Sequence, residues 1–282
     1  MKPKQLILDK NVFVATKTDV LCGFAQNNFL ILPEILLYEC LTTQKNKEVL
    51  VDRFEQVLLV GAHICPNIKT ILNKEANNLS PYGSLVNPKT TDKIRSAYKE
   101  QNGIFCNLSA MSEYLDENVS DFLNPVEKLY EEIQLNHPEV SASIGQLDAS
   151  ADNRLDRFRF WVQLVEQQDI HRLAMENLEG ITNQPEKYCL SDRWVSWQFF
   201  RVTFAVILEY GFLRHHGPAG IKEDRAKHDL RDVEYVCLLS RADGLLTRDK
   251  KLVTPLAEAA FPDKDVFSKL DEVPDEYLCH WS

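Results

Sequence analysis

The strongest constraint on the fold is a set of short apolar runs at the two ends of the 282-residue chain, spaced by helical stretches. Gln5 to Leu8 is one such run and stops at Asp9. Phe29 to Leu32 is a second and meets Pro33, after which PEILLYECLTTQ has helical character, with proline suited to a first turn. Glu48 to Leu59 carries apolar residues at a helical period, and Gly61 to Pro66 reads as a third strand. Near the other end, His228 to Arg241 predicts a helix and Gly244 to Thr247 a strand. Lys250 to Phe261 predicts a helix, and Val266 and Phe267 a last edge strand. Uninterrupted apolar strands separated by helices imply an α/β fold with a parallel sheet between helices.

The middle reads differently. From residue 67 to 225 the pattern is helical with polar breaks. Arg157 to Leu178 places Phe158, Trp161, Val162 and Val165 near one face. Tyr188 to Leu213 is a long aromatic-rich helix that ends at Gly211 or within HHGPAG. Asn77 to Pro88 and Asn136 to Asp152 read as loops. The expected organisation is a core built from 1–66 and 226–282, with 67–225 as an all-helical insertion or cap.

Composition excludes several classes. Hydrophobic residues are 44% and charged residues 26%, as in ordinary globular chains. No stretch approaches the roughly 18 apolar residues of a membrane span, and Leu6 to Leu8 is too short for a signal peptide. A cytoplasmic chain without a membrane partner is expected. The seven cysteines are odd in number with no CxxC pair, so they read as free thiols. There is no GxGxxG, P-loop or nucleophile elbow, which argues against nucleotide-cofactor and serine or cysteine hydrolase chemistry. Net charge is −10, so a nucleic-acid partner would need a local basic patch or bridging metal ions.

Four acids stand where chemistry is expected. Asp9 and Asp249 follow strands, and ligands of open parallel sheets bind beyond the strands' carboxyl ends. Glu39 and Asp232 lie on helices within a turn or two of the same edge. Acids gathered there repel one another unless a cation stands between them. Carboxylates without thiolates favour a hard cation, Mg2+ or Mn2+. Asp229 shares a helix face with Asp232, and Asp243 is expected near the same edge.

These residues carry a resemblance. DKNVF, a helix bearing Glu39, D-x-E-Y-x-x-x-L-L and LLTRDKKL together look like a PIN-domain nuclease, over residues 1–66 and 226–282. In that family a D-x-N supplies the first acid, matched by Asp9 and Asn11. A mid-helix glutamate is matched by Glu39, the third acid by Asp232, and a T-x-D by Thr247 and Asp249. The resemblance implies that Asp9, Glu39, Asp232 and Asp249 are catalytic metal ligands, with Asn11 and Thr247 orienting acids; beside it, Asp229 is an alternative or additional third acid by its helix face, and Asp243 a further assisting candidate by its place near the edge. It implies a divalent-metal-dependent endoribonuclease that hydrolyses RNA phosphodiesters with an activated water, as a toxin or in RNA processing. The partners then expected are RNA, with DNA not excluded, and a protein inhibitor or antitoxin.

Residues 193–231 hold seven Lys or Arg against four acids and lead into the Asp232 helix. Arg214, Lys222, Arg225, Lys227 and Arg231 are therefore candidates to hold a nucleic-acid backbone. Trp161, Trp194, Trp197, Phe199 and Phe200 fall at helical spacing and read as core. One rival is a haloacid-dehalogenase-type phosphohydrolase, which also begins with an aspartate after strand one but needs D-x-D where this chain has Asn11. The other is a non-catalytic PIN-like scaffold that binds a protein partner.

Overall fold

The computed structural model describes residues 3–43, 45–86, 88–99, 135, 138–150, 152–166, 191–216 and 223–279. Five strands form one sheet: β1 (Gln5–Leu8), β2 (Phe29–Pro33), β3 (His63–Cys65), β4 (Gly244–Leu246) and β5 (Asp265–Phe267). Their order is β3-β2-β1-β4-β5 and every pair is parallel. Leu6 lies opposite Leu30 on one side and Gly244 on the other. Strand β1 is wholly buried, as a central strand covered on its two faces must be.

The order explains how distant ends of the chain make one sheet. The chain steps outward from β1 to β3, then returns to the opposite side of β1 for β4 and β5. The direction of winding therefore reverses between β1 and β4. Such a reversal leaves a crevice at the carboxyl ends of the two strands. Close contact between β1 and β4 requires Gly244. A Cβ there would stand 2.9 Å from Leu6 Cδ2 and 2.9 Å from the Tyr277 hydroxyl.

In the first half, the helices are α1 (Lys10–Ala15), α2 (Thr18–Asn27), α3 (Glu34–Thr42) and α4 (Lys47–Val60). The first two are not among the expected helices: α1 is six residues long, and α2 buries only Leu21 and Ala25. Pro33 ends β2 and caps α3 rather than entering its first turn. Gly61 turns the chain from α4 towards β3 at φ +157°, where a Cβ would lie 2.8 Å from the Ala25 carbonyl oxygen.

The middle contributes α5 (Ile68–Asn78), α6 (Pro88–Lys99), α7 (Pro138–Ile144), α8 (Arg154–Val165) and α9 (Val195–His216). Helix α7 corrects part of the loop expected over 136–152, since Val140 and Ile144 bury one face of a single short helix. Helix α9 passes through Gly211, because its neighbours Tyr210 and Phe212 are buried against the core. Residues 167–190, where one helix was expected to continue and another to begin, lie outside the described residues.

Helices α10 (Glu223–Leu239) and α11 (Val253–Ala260) return the chain to the sheet. Helix α8 packs on α9 and α11, and α9 packs on α5 and α10. Trp161, Trp194 and Trp197 are buried and Phe199 and Phe200 pack against the same core, as their spacing predicts. The apolar side chains of the middle and of the sheet form one continuous cluster.

Cys40, Cys65 and Cys237 are buried free thiols, and Cys22 and Cys279 are free and half-buried. Among the described residues no helix is long and apolar enough to cross a membrane.

Candidate active site

Beyond the carboxyl ends of β1 and β4 lies a cleft of about 340 Å3. It is lined by Asp9, Lys10, Asn11, Glu39, His228, Asp229, Asp232, Asp249, Lys251 and Leu252. Five carboxylates from four separate segments thus face one space at the sheet's switch point.

Asp9 is placed by the central strand. Its amide donates to the Leu246 carbonyl at 3.0 Å, continuing the β1–β4 ladder. The side chain is 1% exposed and caps α1, accepting from the Asn11 amide at 3.4 Å. Oδ2 accepts from the Thr247 hydroxyl at 2.6 Å and from Asn11 Nδ2 at 3.3 Å. Burial pushes its carboxyl up to about 6, with Glu39 adding repulsion, while the Thr247 and Asn11 hydrogen bonds pull it back.

Glu39 sits on α3, where Ile35, Leu36, Leu37, Tyr38 and Cys40 are also buried. A charge among these neighbours requires partners. Tyr235 donates its hydroxyl to Oε2 at 2.8 Å, and Lys10 Nζ stands 3.7 Å from Oε1.

Asp232 is half-buried on α10. Burial raises its carboxyl to about 9, reinforced by the charges of Asp9, Glu39, Asp249 and Asp229. Asp229, one turn earlier, accepts from the Tyr210 hydroxyl. Asp249 is held by its own loop, its amide donating to Thr247 Oγ1 at 3.1 Å. Its Oδ1 accepts from the amides of Lys251 at 2.6 Å and Leu252 at 2.9 Å. Thr247 thereby links Asp9 and Asp249. Thr247→Val should remove both contacts while keeping the shape of the side chain. A divalent-cation affinity about tenfold lower is expected by calorimetry, the usual cost of losing a group that orients a ligand. An unchanged affinity would separate Thr247 from the site.

Asp243 is not part of this arrangement, contrary to expectation. It precedes β4 rather than following it, so a parallel sheet carries it to the opposite edge. There Oδ2 accepts from the Gln5 amide at 2.8 Å, at the start of β1.

The basic candidates divide. Arg231 lays its guanidinium over the Tyr38 ring at 5.2 Å. Arg214 is exposed at the end of α9. Lys222 and the side chains of Arg225 and Lys227 lie outside the described residues. Among the described residues, Lys10 and Lys251 line the cleft together with the exposed His228. Their signal in the sequence was proximity alone: Lys10 follows Asp9, and Lys251 comes two residues after Asp249.

Among the described residues, no group of three or more His, Cys, Asp or Glu side chains is already arranged to hold a metal ion. The acids share a cleft without sharing a coordination sphere. Comparisons with family models, curated proteins and solved structures found no match to this chain.

Proposed function

We propose that this chain is a divalent-metal-dependent endoribonuclease with a PIN-like core, in which Asp9, Glu39, Asp232 and Asp249 would hold Mg2+ or Mn2+. The observation that carries the reading is the cleft's concentration of negative charge: carboxylates from separate elements face one space at a sheet switch point, and their charges add to burial in raising the proton affinity of Asp232. The donor chemistry fits a hard cation, since oxygen ligands predominate and, among the described residues, no cysteine lines the cleft. A bound ion of this kind would supply an activated water as nucleophile and charge neutralisation for the phosphodiester.

The chain's own residues do the rest. Thr247 and Asn11 orient Asp9, and Tyr235 orients Glu39. Tyr210 positions Asp229 beside Asp232. Lys251 offers positive charge, and the exposed His228 a hydrogen-bond donor, to a nucleic-acid backbone. The likeness to the PIN-domain nucleases in the order and spacing of the acids makes RNA the favoured substrate and a protein inhibitor an expected partner.

The test is cleavage of mixed single-stranded RNA and DNA with Mn2+, Mg2+ or EDTA, beside Asp9→Asn/Asp249→Asn. Metal-dependent cleavage lost in the double variant is the expected result. Metal affinity should also rise with pH. Asp9 near 6 and Asp232 near 9 must release protons to bind the cation, so affinity should gain up to about tenfold per pH unit for each proton released. Mn2+ titrations in buffers of different ionisation enthalpy read that release directly. Full function without any divalent ion would favour the scaffold reading instead, and an acyl-phosphate trapped on Asp9 the phosphohydrolase.

A further inference from the structure

Lys10 has an unusual place among the cleft residues. It is the first residue of α1, immediately after the buried cap Asp9, so its backbone is fixed. Its side chain is 29% exposed, and Nζ lies 3.7 Å from Glu39 Oε1. This ion pair joins one of the cleft carboxylates to a cation from a different element. Glu39 does not depend on it for orientation, because Tyr235 holds the other oxygen at 2.8 Å.

These contacts separate two tasks. Tyr235 is buried and holds Glu39 in place; Lys10 is long, half-exposed and brings only charge. An ammonium on a flexible stem is a point charge that exchanges partners readily. A divalent cation seated among the carboxylates would repel it from Glu39. The cleft, which Lys251 and His228 also line, is then open to it.

We propose that Lys10 is an exchangeable counter-ion: it neutralises Glu39 in the metal-free protein and binds a phosphate oxygen of the nucleic-acid substrate once the acids hold a divalent cation. This rests on the nuclease reading above. It makes substrate capture conditional on metal, because the same ammonium cannot serve Glu39 and phosphate together. An acidic protein thereby avoids holding RNA unproductively when its metal is absent.

The experiment compares the full-length chain with Lys10→Gln and Lys10→Arg. Mn2+ binding is measured by calorimetry, and binding of a fluorescein-labelled single-stranded RNA by anisotropy in Ca2+ or EDTA. For Lys10→Gln, Mn2+ affinity should be unchanged or rise by about threefold as a competing charge is removed. RNA affinity in Ca2+ should fall about tenfold, with the salt slope shallower by about 0.7, one phosphate contact on a single strand. Lys10→Arg should restore RNA binding. In EDTA the wild type and Lys10→Gln should bind RNA alike.

Weaker Mn2+ binding by Lys10→Gln with unchanged RNA affinity would overturn the proposal and make Lys10 an anchor for Glu39. Unchanged values in both assays would make it a bystander and equally overturn it. A wild type that takes up no Mn2+ would instead remove the nuclease reading, and this inference with it.

Discussion

Replacing Asp232 by asparagine is expected to stabilise the metal-free protein and to inactivate it. Asp232 is half-buried, and its carboxyl is raised to about 9 by burial and by Asp9, Glu39, Asp249 and Asp229. An acid raised in the folded state binds its proton more tightly there than in the unfolded chain. Its contribution therefore favours folding at low pH and is lost as pH rises from about 4 towards 9. The amide in Asp232→Asn carries no charge, so that loss disappears. At pH 8 without metal the gain should be about 2 kcal/mol, or roughly 4–8 °C in Tm. Activity should move the opposite way, by about 10²–10³-fold, the scale of about 3–4 kcal/mol of lost charge stabilisation. Thermal melts in EDTA at pH 5 and 8, with Mn2+-dependent cleavage beside them, decide it. Cleavage retained by Asp232→Asn would move the third ligand to Asp229, one turn earlier on α10.

The second large effect lies in the helical middle. Glu209 is 2% exposed on α9, and Arg157 on α8 is 1% exposed. The guanidinium donates to Oε1 at 2.7 Å and to Oε2 at 3.0 Å, and Trp161 Nε1 donates to Oε2 at 3.1 Å. Arg157 also donates to the Asp148 and Ser150 carbonyls at 2.6 Å each. Glu209→Leu would leave the Arg157 charge buried without its counter-charge, at a cost of about 3–5 kcal/mol and roughly 10 °C or more in Tm. Glu209→Leu/Arg157→Met should recover more than half of that loss, since burying two apolar side chains is less costly than stranding one charge. A double variant no more stable than Glu209→Leu would show that the remaining contacts, not the stranded charge, carry the cost.

The same network reaches the cleft. Arg154 Nε lies 3.4 Å from Glu209 Oε1, and its guanidinium donates to the Lys251 carbonyl. Tyr210, next to Glu209, donates to Asp229. The helical middle thus holds two points of the cleft wall.

Much of the sheet is legible without coordinates. Buried parallel strands must be apolar on their two faces, so β1, β2 and β4 stand out as runs. Each run has a direction, which is why Asp9 and Asp249 are assigned to one edge and why Asp243 should have been assigned to the other. Helix α1 is obscured because it is only six residues long, and α2 because only Leu21 and Ala25 of its ten residues are buried. The Glu209–Arg157 pair is obscured for a different reason. Glu209 sits inside an apolar stretch and Arg157 among other charged residues, and nothing local says that the two meet.

Sequence alone therefore determined the α/β alternation, the strand ends and the residue types gathered beyond them, because periodicity and polarity are local properties. Tertiary structure decided the rest. It brought β4 beside β1 across more than two hundred residues, paired Lys10 with Glu39, and hung Asp229 from a tyrosine of the helical middle. Those outcomes depend on how packed surfaces fit, and a linear pattern of charges does not encode which distant partner fills a given space.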